Sequence, residues 1–198
     1  MSAYQFTRQI QLFDLFLEPF LASLQSTHAT WTKHSHELLL FQRIVFESQA
    51  CTFFPSSIDR LLSILTTLAS SNKEYEVRII AIQIIKEIMK PGRMNVMNIN
   101  LITSRIILPN LTWQRSSESS LLRVSTMQCF FEIICCDAYM VMITSDYNQP
   151  LISSLISNLN DDLSQTRTEA LKCIEHLLDR SNTRIFDGIH YMNMYDAL

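Results

Sequence analysis

The chain has 198 residues, 47% of them hydrophobic and only 18% charged, with a formal net charge of -3. Two glycines and five prolines are too few turn formers for an all-β protein. The slight acidity and the lack of a Lys/Arg cluster argue against a nucleic-acid footprint, and no run of about 18 uncharged apolar residues is present to span a membrane.

In chain order, the pattern gives first helices over roughly 5–25, 55–69, 96–110 and 149–160. Each is followed by a turn and a second, strongly apolar helix. Pro55 suits the first turn of its helix. The turns fall at Ser70-Ser71-Asn72, Pro91-Gly92, Ser116 to Ser119 and Asn160-Asp161. Glu74, Glu76, Glu118, Asp161 and Asp162 stand at the fronts of second helices. There they complement the helix dipole, at about 0.3–1 kcal/mol each. Glu74 also precedes Arg78 by four residues, the better orientation for an ion pair.

The second helices repeat. Arg78, Arg123 and Arg167 open three of them, 45 and then 44 residues apart. Six, seven, ten and eleven residues beyond each arginine stand Ile84, Ile85, Ile88 and Met89, then Cys129, Phe130, Ile133 and Ile134, then Cys173, Ile174, Leu177 and Leu178. All twelve are apolar and fall on one side of a helix. Three residues beyond each arginine lies a small residue, Ala81, Thr126 or Ala170; one further on come Ile82, Met127 and Leu171. Stepping back 44 residues to His34 gives a degenerate fourth copy: Leu40, Phe41, Ile44 and Val45, with Glu37 at the small position. This period lies in the range of about 40–47 residues for HEAT and armadillo repeats.

The expected fold is therefore an all-α solenoid of HEAT/armadillo-type helix pairs, a single array over 1–198. Its repeats fall at approximately 5–50, 54–90, 95–137 and 148–180, with a partial repeat at 183–198. One pair cannot cover its own apolar stripe, so neighbours must stack. The low charge and the lack of polar caps suit a fragment of a longer array.

Candidate chemical sites read as structural. Five cysteines (Cys51, Cys129, Cys135, Cys136, Cys173) form no C-x-x-C pair and, being odd in number, no disulfide framework. They suit the core of a protein kept in a reducing compartment. Asp14 and Glu18 interrupt the apolar N-terminal stretch, which makes it a poor signal peptide. A cytoplasmic location is expected, and Asn110-Leu111-Thr112, though it matches a glycosylation pattern, would not be glycosylated. His28, His34 and His36 lack the further ligands of a metal site. No phosphate loop, nucleophile elbow or H-E-x-x-H occurs, so neither enzymatic activity nor a cofactor is expected. The candidate partner-binding residues are the polar ones five and nine places beyond each arginine: Gln83 and Glu87, Gln128 and Glu132, Lys172 and His176. In a HEAT stack they would form a ladder on the concave side.

Residues 107–134, with Asn110, Leu111 and Trp113 ahead of a small-residue linker and an arginine-bearing helix containing a cysteine, resemble the C-terminal HEAT region of the dynein axonemal assembly factor 5 family. Residues 155–174, with the acidic pair and Thr166-Arg167, and the stretch Trp31 to Leu38 are similar to neighbouring parts of it. The resemblance implies a cytoplasmic, non-enzymatic factor, without a cofactor, for pre-assembly of the dynein arms of motile cilia. Its partners would be dynein heavy and intermediate chains and chaperone machinery, with no nucleic acid and no membrane. A generic HEAT adaptor, such as a transport or phosphatase scaffold, is the alternative that the repeat alone would allow.

Overall fold

The computed structural model describes residues 19–47, 55–89, 99–112, 116–137 and 145–181. They are helical, with no strand among them. The chain divides into two compact units, residues 1–95 and 96–198, each described here by itself. The expected partial repeat at 183–198 and most of the first expected helix lie outside the described residues.

In the first unit, helical residues 19–25 (α1) lead through a 3-10 turn, His28–Thr30, into α2 (His36–Glu47). Then come α3 (Pro55–Leu68), opened by its proline, and α4 (Tyr75–Ile88). The aliphatic residues of α4 supply the core: Val77, Ala81, Ile82, Ile84 and Ile85 are fully buried, and Ile88 and Met89 nearly so. Facing them are Leu61, Leu65 and Leu68 of α3 and Leu38 and Phe41 of α2. Each such side chain contributes about 1.5–3 kcal/mol when fully buried. Gln25 contacts Ser63 and His28 contacts Thr67, so the end of α1 and the turn after it lie along the second half of α3 in matching order.

The degenerate copy is shifted. Leu40, expected in the stripe, is 48% exposed, while Leu38 is fully buried together with Phe41. Ile44 is half-buried and Val45 buried. The buried set of α2 is Leu38, Phe41 and Val45, which stand 43 residues before Ala81, Ile84 and Ile88. The first spacing is therefore one residue shorter than 44, which puts Leu38, not Glu37, at the small position.

In the second unit, α5 (Ile99–Ile102) runs through a π-helical stretch (Thr103–Ile107) into α6 (Leu108–Leu111). The amide of Leu108 reaches the carbonyl of Thr103, five residues back. Pro109 lacks an amide hydrogen and would crowd the carbonyl of Arg105; widening the preceding turn relieves that clash. After the turn, Ser116 caps α7 (Ser117–Cys135), its Oγ accepting from the amide of Ser119 at 3.0 Å. The pair α8 (Ser145–Asn158) and α9 (Ser164–Ser181) completes the unit. α8 starts four residues before the expected boundary and takes Pro150 inside it.

Eleven of the twelve stripe residues are buried; Leu178 is half-buried. The small positions Ala81, Thr126 and Ala170 are fully buried, and so are Ile82 and Met127. Leu171, at the position after Ala170, is 45% exposed. Gln128 meets Glu169 and Ile134 meets His176, so α7 and α9 lie side by side and run in the same direction.

Candidate interaction surface

Of the six candidate residues on the second helices, two are exposed and four are half-buried. On α4, Gln83 is exposed and Glu87 half-buried; on α7, Gln128 and Glu132 are half-buried; on α9, Lys172 is exposed and His176 half-buried. In the second unit the side chains meet. Glu169, buried between α7 and α9, accepts from Gln128 Nε2 at 3.4 Å and pairs with Lys172 Nζ at 3.1 Å. His176 Nε2 donates to the carbonyl of Ile134 at 3.2 Å, and its ring meets Phe131 edge-on at 5.5 Å. The Ile134 carbonyl belongs to the last turn of α7, where carbonyls lack helical partners; His176 supplies a donor. Gln128, Glu169 and Lys172 thus form a hydrogen-bonding strip across two helices, and His176 bridges the same two helices separately.

The strip rests on a buried junction that the repeat pattern did not predict. Arg123 is 2% exposed and pairs with Asp161, also 2% exposed, in the turn before α9. Its guanidinium also donates to Ser119 Oγ at 3.0 Å and Ser120 Oγ at 2.9 Å. Asp161 accepts from Ser120 at 3.0 Å and from the amide of Leu163 at 2.9 Å. Burial pushes the Asp161 carboxyl up, but the Leu163 amide, Arg123 and Ser120 outweigh it and hold the group below the ordinary 3.8. Beyond standing at the front of its helix, Asp161 joins α7 to the turn of the next helix pair. Arg167 donates to the carbonyls of Asp161 and Asp162. Arg78 instead lies over the Tyr75 ring at 5.4 Å.

Two asparagines support the first helices. Asn158 donates to the carbonyl of Leu111 at 2.9 Å, bridging α8 to the end of α6. Asn110 is 1% exposed and donates to the carbonyl of Ile106 at 2.6 Å, so the sequon asparagine is enclosed in protein. Its burial was not legible, because a sequon says nothing about which side of a helix it occupies.

In the first unit two lysines cross between turns in opposite directions. Lys73 Nζ reaches the carbonyls of Ala29 at 2.6 Å, Trp31 at 3.0 Å and His28 at 3.5 Å. Burial lowers its pKa, partly offset by Glu74. Lys33 donates from its amide to Glu74 at 3.2 Å and from Nζ to Glu76 at 2.6 Å. The Lys33 hydrogen bond holds the Glu76 carboxyl below its ordinary value. Glu74, expected to serve Arg78, thus serves the preceding turn.

Among the remaining candidates, His34 and His36 are exposed, and His28 is held by Gln25 and Thr67. Among the described residues no group of three or more His, Cys, Asp or Glu is placed to hold a metal. No helix among them is long and apolar enough to cross a membrane. Burial, and then Glu169, push the Cys173 thiol up to about 12, so it is not a thiolate at neutral pH. Cys51 and Trp113 lie outside the described residues.

What the geometry defines is a chain that is helical, without strands, over its described residues, with a polar strip across α7 and α9. No protein-family model matches the chain, and no solved structure matches it. Among curated proteins it is similar to Dynein axonemal assembly factor 5 of Homo sapiens, 20% identical over 177 residues covering 86% of this chain. The protein of the same name from Mus musculus is 20% identical over 168 residues, covering 81% of this chain. The similarity supports a distant relationship. In both cases the matched region is 20% of the relative, so the chain spans about a fifth of the length of those proteins.

Proposed function

We propose that this chain is a run of HEAT-type helix pairs that acts as a non-enzymatic scaffold, and that it serves the cytoplasmic pre-assembly of axonemal dynein arms. The observation that carries the reading is the distant similarity to Dynein axonemal assembly factor 5 along 86% of the chain. The buried stripes of α4, α7 and α9, at a spacing of 44–45 residues, agree with it, since stacked helix pairs bury such stripes against one another. A scaffold of this kind binds through the uncovered sides of its second helices, which here carry Gln83, Glu87, Gln128, Glu132, Lys172 and His176. Its partners are dynein heavy and intermediate chains, held together with chaperones before the arms are delivered to cilia.

The test is affinity capture of the tagged full-length protein from cells building motile cilia, with the bound proteins identified by mass spectrometry. Enrichment of axonemal dynein chains is the expected result. Recovery of neither dynein nor chaperone would refute the dynein reading, and transport or phosphatase clients in their place would support a generic HEAT adaptor.

A further inference from the structure

The turn after α1 is held to the turn between α3 and α4 chiefly through lysines. Lys73 places one ammonium against three backbone carbonyls of residues 28–31. An ammonium has three donors and no acceptor, so this arrangement uses its whole capacity. The carbonyl of Ala29, inside the 3-10 turn, and that of Trp31, just after it, converge on the Lys73 ammonium. Lys33 answers from the other side, through Glu74 and Glu76. That pair is exposed at 40% and 53%, so salt screens it and it contributes little. The carbonyl set around Lys73 is the tighter half of the junction. Further polar links run along α3: His28 with Thr67, and Gln25 with Ser63 and Arg60.

We infer that Lys73 is a charge-dependent latch, and that loss of its positive charge frees residues 28–30 from the α3–α4 turn while the apolar core of the unit, Trp31 included, stays folded. The modification that would release it is acylation by a thioester: the deprotonated amine attacks the thioester carbonyl, the amide C–N bond forms, the C–S bond breaks, and the thiol leaves with the amine proton. The core is independent of the latch because Trp31 and Phe41 are buried and their rings meet at 5.8 Å, while Ala29 and Thr30 are exposed. Those residues can move without opening the interior.

The experiment is amide hydrogen exchange on the full chain in four forms: parent, Lys73→Gln, Lys73→Arg, and the chain carrying Nε-acetyl-lysine at 73. The Thr30 and Trp31 amides, bonded to Thr27 and His28, report the turn; Ile82 and Ile85 report the core. The glutamine and acetyl forms should speed exchange at Thr30 and Trp31 by at least about fivefold, with the core amides unchanged and the arginine form within about twofold of the parent. Unchanged exchange at Thr30 and Trp31 in the acetyl form would overturn the inference. So would core amides that speed up in proportion, which would make Lys73 an ordinary stability contact, or an arginine form that behaves like the glutamine one, which would make fit and not charge decisive.

Discussion

Arg123 and Asp161 are residues of the second unit that are costly to remove singly. Both are buried, so removing one leaves the other charged and uncompensated, at roughly 3–5 kcal/mol. Arg123→Met should therefore lower the urea midpoint sharply with little change in the slope of the transition. The pH dependence follows from the direction of the Asp161 shift. A carboxyl held below its unfolded value stabilises the fold above about pH 4, and that contribution is lost as the pH falls through the folded value. Asp161→Asn should flatten the acid limb of the stability curve, measured by urea unfolding from pH 6 to 3. An equal acid limb in both proteins would show that the pair carries no pH-linked stability.

Cysteine chemistry separates on the same principle. Cys135 is exposed and Cys136 partly so, while Cys129 and Cys173 are buried. Iodoacetamide at pH 8 should label Cys135 and Cys136 in the native protein and leave Cys129 and Cys173 unmodified, as read by peptide mass spectrometry. Labelling of Cys173 at a comparable rate would contradict its burial and its raised pKa.

At the scale of the helix, periodicity in the sequence located the second helices and most of their own buried residues. Spacing alone identifies a side of a helix, and α4, α7 and α9 keep the same phase. It failed at α2, where a shift of one residue moves each side chain about 100° around the axis and turns Leu40 outward. The π-helical stretch was not legible because its cause, Pro109, lies after it and is also compatible with a plain helix start. The lysine exchange of the first unit and the Arg123–Asp161 junction were hidden for another reason: they join residues 38–45 positions apart, and a single sequence carries no pairing information. Of the site, the sequence indicated which residues stand outside the stripe, but not that Glu169 gathers Gln128 and Lys172. The register has a direct check. Phe41→Asp and Ile133→Asp each bury an unpaired charge and should cost more than about 4 kcal/mol. Leu40→Asp, at a half-exposed site, should change stability by no more than about 0.5 kcal/mol. Thermal unfolding followed by circular dichroism distinguishes them, and a Leu40→Asp loss equal to that of Phe41→Asp would restore the 44-residue register for α2.

For the whole molecule, the proposed scaffold requires the helix pairs of the two units to continue as one array. In tandem stacking, second helices of consecutive pairs lie side by side with axes roughly 8–10 Å apart. Gln83 and Gln128 hold the same place, five residues beyond Arg78 and Arg123. Nitroxide labels at these two positions, measured by dipolar electron paramagnetic resonance, should give one narrow distance distribution centred at about 10–20 Å. A distribution centred beyond about 35 Å, or one too broad to have a centre, would contradict tandem stacking and the scaffold built on it.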